Sequence, residues 1–325
     1  MELADIGLAP RRREKVGTLR EAVGLIKNGD MLAFGGIHSH NGPMALIHEM
    51  IRQGIKDLHA IGNVSAGMPA DILIGGGCVD TFTVCYVGLE HLGFAPRFRQ
   101  VAEQKKIKII EGDEIYYILG LKAGAVGLPF VPHLPGHEAR DGPKVESTYA
   151  RTTDPYTGRE VIVSPAIAPD VGIIHAAQCD PFGNVVHYGS VVADDLIAKA
   201  SARTIVTTEE IVPLETTKRD PKRTTIPGHY VDMVVEVPFG AHPLSCHGVY
   251  NHDEAHLVDY RDAVIEAYLQ EYIFGVENHF GYLAEFGIVA GVGRNGVEKL
   301  VRLIDTGDDE RVPRAARECL LALHD

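Results

Sequence analysis

No run of apolar residues in this 325-residue sequence approaches the roughly 18 in a row that a membrane span requires, so a spanning helix is not expected. Positive charge is scarce: 31 Lys and Arg stand against 44 Asp and Glu, a formal net charge of −13. Nucleic-acid binding needs a surplus of cations to neutralise phosphates, so composition argues against that class of partner. A small polyanionic ligand stays open, because such a site depends on local donors rather than on net charge. Cysteine is sparse and odd in number: Cys78, Cys85, Cys179, Cys246 and Cys319, with no Cys-x-x-Cys pair. That usage fits a reducing cytosol better than a disulfide scaffold, and a cytoplasmic location is expected. Residues 1–15 hold Arg11-Arg12-Arg13 without an apolar stretch behind them, so no signal peptide is expected.

Apolar residues make up 45% of the chain, enough for a real core, and 35 glycines sit mainly at the ends of apolar runs. The periodicity predicts a helix over Thr18 to Asn28, a short strand at Met31 to Phe34 and a helix over Met44 to Arg52. Leu58 to Ile61 reads as a strand, and Ile72 to Ile74 as a short apolar run stopping at Gly75-Gly76-Gly77. Thr81 to Val87 is β-rich, Ala95 to Lys105 helical, and Ile107 to Ile110 a strand. Between Pro129 and Asp154 the alternation weakens into a proline- and glycine-rich stretch, a long loop or a subdomain boundary. It resumes with strands at Val161 to Ser164 and Val171 to Ala176, a helix near Val191 to Ala200, and strands at Thr204 to Thr207 and Val231 to Val237. From Glu254 the chain looks helical, with late segments at Leu300 to Ile304 and Ala315 to Leu323. The expected fold is α/β, an open, mostly parallel sheet flanked by helices, in one domain over 1–325 with a mostly helical C-terminal part from about 254.

The richest local pattern is the run from Asn28 to Pro43: a helix end, a buried strand, the pair Gly35-Gly36, a polar loop, then a proline opening a helix. Glycines let the backbone approach a ligand closely, and a helix start offers free N–H groups to an anion or an oxyanion. The same pattern also serves as a plain strand-to-helix turn.

These residues resemble the signature of the class I coenzyme A transferases, specifically their α (A) subunit. Asn28-Gly29, Leu32-Ala33-Phe34, Gly35-Gly36 and Pro43 match it; Ile37 replaces the usual Phe, and Asn41 replaces a Gly that is displaced to Gly42. Glu49 to Leu58, Asp71 to Gly77, Pro129-Phe130 and Gly240-Ala241-His242-Pro243 look like the glutaconate CoA-transferase branch, and the likeness spans roughly residues 15 to 270. The resemblance implies the CoA-transferase fold, related to sugar-phosphate isomerase-like folds. It implies CoA transfer between carboxylic acids through a glutamyl-CoA thioester whose glutamate lies on a β subunit. The chain would then work as an αβ heterodimer or α2β2. Coenzyme A and acyl-CoA would be substrates, with no permanently bound cofactor. The glycine-loop N–H groups would stabilise the tetrahedral oxyanion. Gly35, Gly36, His38, Asn41, Gly42 and His133 would line the substrate and CoA cleft.

A second branch of the resemblance concerns ring-cleaving CoA hydrolases, in which an Asp-Glu before a helix ending Gly-Leu-x-Ala supplies a general base. Gly120-Leu121-Lys122-Ala123 fits that frame and makes Glu114 the catalytic candidate, although the same residue would serve as an ordinary acidic first turn of a helix. His133 stands where those relatives tend to carry an arginine. A non-catalytic ligand-sensing or scaffold protein on the same fold is the third reading. Elsewhere, His252 and His256 sit at i, i+4, but the glutamate is out of place for a zinc motif, and no metal is expected. His38 and His40 would point the same way on a strand. The Lys218 to Arg223 cluster reads as a solvated loop, Gly291 to Gly296 is rejected as a dinucleotide fingerprint for want of a following strand–helix–strand unit, and Cys78 and Cys85 read as small buried hydrophobes.

Overall fold

The computed structural model describes residues 13–62, 64–133 and 149–285. The first helix, α1 (Leu19–Val23), opens on a capping box in which Thr18 and Glu21 satisfy each other's backbone N–H groups. It is shorter than the predicted Thr18 to Asn28, because Gly24 caps it and the chain turns instead of continuing. β1 (Met31–Phe34), α2 (Met44–Arg52) and β2 (Leu58–Ile61) lie where the periodicity puts them. Ile72 to Ile74 form the last turn of a buried helix, α3 (Gly67–Gly75), and a short apolar run alone could not reveal that. β3 (Val79–Val84), α4 (Pro96–Glu103), β4 (Lys108–Glu111) and α5 (Glu114–Val126) follow.

The stretch with weak alternation contributes to a separate three-stranded antiparallel sheet of β5 (Phe130–His133), β6 (Ala150–Thr153) and β7 (Glu160–Pro165), in the order β5-β7-β6. The chain then returns to the main sheet with β8 (Val171–Cys179), the short β9 (Val185–Val186), α6 (Asp194–Ala200), β10 (Arg203–Ile211), α7 (Leu214–Arg219) and β11 (Met233–Glu236). Helices α8 (Glu254–Asp262), α9 (Ile265–Leu269) and α10 (His279–Glu285) end the described chain. The segments predicted at Leu300 to Ile304 and Ala315 to Leu323 lie outside the described residues, as does the glycine pattern at 291–296. Among the described residues, no helix is long and apolar enough to cross a membrane.

The main sheet runs β11-β10-β8-β1-β2-β3-β4 with every neighbouring pair parallel; only β9 pairs antiparallel, with β8. Successive side chains of β1 alternate between faces. Leu32 and Phe34 enter the core made with α2, α3 and the C-terminal helices, while Ala33 enters the core made with α5 and α6. From β1 the strand order first steps outward through β2, β3 and β4, then jumps to β8 on the other side. That reversal leaves a crevice beyond the carboxyl ends of β1 and β8, where ligands bind in open α/β sheets.

Candidate active site

The Gly35-Gly36 loop leaves β1 at that crevice. Gly36 has φ +83°, and a Cβ there would come within 2.7 Å of the Gly42 nitrogen and the His40 carbonyl. A Cβ on Gly35 would lie 2.3 Å from an oxygen of Asp194. The two glycines therefore serve close packing inside the protein. Their N–H groups are also taken: Gly35 donates to Ile173 at 2.8 Å and Gly36 to Asp194 Oδ1 at 3.2 Å. Ile37 donates to the His40 carbonyl, His38 to Ser65 and Asn41 to Ser245. At the start of α2, Ala45 donates to Gly240. The expectation that the Gly35 and Gly36 N–H groups face an oxyanion is thus corrected: the tight turn closes on itself and on its neighbours.

His38 and His40 do not point the same way, because His38 adopts φ +54° and breaks the alternation. His38 Nδ1 meets Glu90 Oε1 at 2.6 Å, and that oxygen also accepts from Ser65. His40 Nδ1 meets the Ser245 hydroxyl at 2.5 Å, with its ring 4.2 Å from that of His247. Burial and the neighbouring histidines draw the His40 pKa down to about 4, so it is a neutral hydrogen-bonding ring at neutral pH. Asn41, buried and at φ +54°, accepts from the His247 N–H through Oδ1.

Beneath the loop lies Asp194, which is 3% exposed. Burial lifts its pKa to about 6 against the lowering effect of the Gly36 N–H. His187 Nε2 approaches it at 3.8 Å. Burial also holds His187 down near pKa 4, so this approach joins a neutral ring to the carboxyl and is no ion pair. The buried Tyr117 hydroxyl of α5 has no hydrogen-bond partner among the described residues, and both Asp194 and Cys85 raise its pKa beyond the effect of burial. Tyr117 thus links the glycine loop to the second group of candidates.

That second group gathers at the start of α5. Asp113 caps the helix by accepting the Tyr116 N–H at 2.8 Å, and it accepts the Tyr149 hydroxyl at 2.5 Å. Glu114 is exposed in the first turn. The His133 ring packs 5.6 Å from that of Tyr149, and its Nε2 meets the Ser164 hydroxyl at 3.2 Å. Cys85, at the end of β3, is only half-buried, unlike the fully buried Cys78. Its thiol is pushed up to about 12, first by burial and then by Asp113 and Glu114. The fold therefore links Asp113, the chain neighbour of Glu114, to His133 through Tyr149, and reaches the glycine loop through Cys85 and Tyr117.

The segment from Phe239 to Tyr250 braces the loop from the far side. Glu209 of β10 is buried and accepts the Phe239 N–H at 2.6 Å, the Gly240 N–H at 3.0 Å and the Tyr250 hydroxyl at 2.6 Å, and it pairs with His175 Nε2 at 2.7 Å. One ligand atom each from His175, Glu209 and Cys246 lie within 4.8 Å of one another. A cation there would have to displace donors that already saturate the carboxylate, so the cluster reads as a hydrogen-bonded hub. His252 bonds to Glu254, whereas His256 turns inward to the Tyr268 hydroxyl at 2.7 Å, so this pair is only half the exposed helix start expected from its spacing. Lys218 to Arg223 is exposed as expected, but it is not a loop: Lys218 and Arg219 close α7, and Pro221–Arg223 form a 3-10 turn.

Sequence reasoning missed Asp194, His187, Tyr117, Glu90, Ser245 and Glu209. An acidic residue opening a helix is the one local signal Asp194 offered, and it is too common to single out.

The profile of the Coenzyme A transferase family matches residues 16–237. The A-type chain of glutaconate CoA-transferase from Acidaminococcus fermentans is 33% identical over 320 residues, covering 91% of this chain and 99% of that one. The crystal structure of that transferase superposes with a TM-score of 0.78 at 32% identity, over 86% of this chain and 97% of the other. The A-type chain of 3-oxoadipate CoA-transferase from Pseudomonas knackmussii is 34% identical, over 82% and 96%. The IpdA subunit of a cholesterol ring-cleaving hydrolase from Rhodococcus jostii is 31% identical, over 75% and 84%. An uncharacterised Archaeoglobus fulgidus protein is 36% identical over 89% of this chain, which spans 65% of its length. With a parallel sheet whose crevice holds the glycine loop, and with that family's profile over most of its length, the chain belongs to the coenzyme A transferase family and is a transferase subunit of its A type.

Proposed function

We propose that this chain pairs with a B-type subunit to move CoA between carboxylic acids, and that the nucleophilic carboxylate comes from the partner. The observation that carries this is the state of the carboxylates around the glycine loop. Glu90 is held by His38 and Ser65, Asp194 lies under Gly36, and Glu209 accepts from several donors. Each is engaged or buried, whereas a nucleophile has to reach an acyl carbonyl. In the proposed reaction a partner glutamate attacks the acyl-CoA carbonyl and expels CoA thiolate, leaving a mixed anhydride. The thiolate then attacks the glutamyl carbonyl, which releases the acyl carboxylate and leaves a glutamyl thioester. The second carboxylic acid reverses these steps and departs as the new thioester.

In this scheme His38, Asn41 and Gly42 shape the wall facing the acyl group, with Gly35 and Gly36 supporting them from beneath. Co-expression with the partner, incubation with acyl-CoA, borohydride reduction and mass spectrometry test the scheme. The reduced glutamate should map to the partner; a modified residue on this chain would refute the division of labour.

A second reading, a carbon–carbon-cleaving hydrolase with Glu114 as base, is supported by the exposure of Glu114 at the first turn of α5, where its carboxylate is open to a substrate. Glu114→Gln separates the two. Exchange that survives the substitution supports transfer. Lost turnover in a protein that never forms a glutamyl adduct supports hydrolysis.

A further inference from the structure

The N–H groups of Gly35 and Gly36 are spent inside the protein, yet acyl transfer needs donors aimed at the carbonyl oxygen as it takes on charge. Two side chains on the loop's own wall are free to supply them. Asn41 is 4% exposed and its amide is fixed in orientation: Oδ1 accepts the His247 backbone N–H at 3.0 Å, which turns Nδ2 the other way. That NH2 group donates to no described residue and is not sealed from solvent, so it opens on the crevice that the loop lines. The second is the His247 ring, which lies 4.2 Å from the ring of His40, itself held by Ser245. A Cβ on Gly189 would come within 2.3 Å of His247 Nδ1, so backbone covers that nitrogen, and it is buried with no partner among the described residues. The ring as a whole is half-buried, and Nε2 is the edge left to face the crevice. Burial lowers the His247 pKa, so at neutral pH the ring carries a single N–H. On Nδ1 that N–H would be enclosed without an acceptor, whereas on Nε2 it can reach water or a substrate, which assigns the proton to Nε2.

We propose that Asn41 Nδ2 and His247 Nε2 together form the oxyanion site of the transferase reaction. This deepens the transferase reading and rests on it. When the partner's glutamate oxygen adds to the thioester carbonyl carbon, the C=O π pair moves onto oxygen, and the two N–H groups hold that oxygen while the tetrahedral adduct lasts. Collapse restores the C=O bond and expels the CoA thiolate. No proton changes hands, so neither residue has to titrate. Neutral donors hold the oxyanion more tightly than the uncharged carbonyl, and that difference raises kcat rather than lowering KM. The hydrogen bond from the His247 backbone to Asn41 makes the pair one unit, fixed between the glycine loop and the Phe239–Tyr250 segment.

His247→Phe tests this on the enzyme assembled with its partner, with CoA exchange from acetyl-CoA as the assay. The variant keeps a ring on His40 and the backbone N–H on Asn41 but removes the side-chain donor. We expect kcat to fall roughly ten- to a thousandfold. KM for acetyl-CoA should stay within about twofold, and the urea midpoint should be no lower, because the enclosed unpartnered nitrogen goes as well. His247→Gln loses the ring but keeps an N–H at that position, and it should recover part of kcat, which a purely packing role for the ring would not allow. Asn41→Ala should lower kcat in the same way; since it also frees the His247 N–H, sedimentation checks its assembly first, and if it fails to assemble the two His247 variants decide alone. A kcat untouched by His247→Phe, a change confined to KM, or a Gln variant no faster than the Phe variant overturns the proposal. Borohydride trapping keeps the two readings apart. A glutamyl adduct that forms as fast in His247→Phe as in the parent enzyme refutes the donor pair alone, whereas a parent enzyme that forms none refutes the transferase reading and this inference with it.

Discussion

Gly35 is required by Asp194. The carboxylate oxygen occupies the place of a side chain, so Gly35→Ala must displace either the loop or α6. We expect that substitution to lower stability by about 2 kcal/mol, in the usual range for overpacking a tight core. In an Asp194→Ala background the oxygen is gone and most of that penalty should disappear. A urea-denaturation cycle over the four proteins reads the coupling directly, and additive effects would contradict the geometry. Asp194 also has a pH signature of its own. Its pKa rises from 3.8 to about 6, so the folded state holds the proton more tightly than the unfolded chain. Its contribution is therefore present at low pH and is lost as pH rises from 3.8 through 6, about 3 kcal/mol in all. Asp194→Asn keeps an acceptor for Gly36 and should be the more stable protein at pH 8, an advantage that fades below pH 4. Equal stabilities at pH 8 would argue against a strained carboxyl.

At the scale of elements, the Phe239–Tyr250 segment carries Ser245 and His247 to the glycine loop while hanging from Glu209. Glu209→Gln replaces one acceptor oxygen by an NH2 group that faces donors, leaving buried groups opposed. A loss of about 2–4 kcal/mol follows, measurable by urea denaturation, and CoA exchange should fall with it; an unaltered transition would mean that the hub bears no load. None of this was legible in the sequence. Glu209 looks like any polar residue at a strand end, and its donors lie 30 to 41 residues downstream. Local signals did place β1, α2 and β2, because apolar runs bounded by glycine and proline depend on neighbours in the chain. Ile72 to Ile74 misled for the opposite reason: α3 is buried all round, and a helix without a polar face has no period to read. The site candidates divide likewise. Gly35, Gly36 and Asn41 were visible as backbone punctuation, whereas Asp194 and Tyr117 become neighbours of the loop only through the crossover from β4 back to β8.

The whole described chain is tied together across its layers, and we propose that it unfolds as one unit. Tyr260 of α8 donates to Asp71 of α3 at 2.7 Å, Arg97 of α4 donates to the Arg261 carbonyl at 3.1 Å, and Tyr268 and Tyr282 are fully buried in the larger core. Acid should be what undoes it. Burial draws His187 and His279 from 6.5 to about 4, and holds His48 well below its usual value. The unfolded chain takes up these protons first, so the stability they lend is present above pH 6.5 and is lost as pH falls through 6.5 to 4. His187 and His279 remove about 3 kcal/mol each over that window, and His48 adds to the loss. Asp194 works the other way but returns only about 3 kcal/mol between pH 6 and 3.8. The histidines win. Urea midpoints should therefore fall steadily from pH 7 to pH 4.5, with fluorescence and circular dichroism reporting the same transition. His279→Gln, which keeps a polar side chain at that position but cannot titrate, should flatten the slope by about one proton per molecule. A midpoint that holds or rises on acidification would mean that the buried histidines find protons and partners in the folded state.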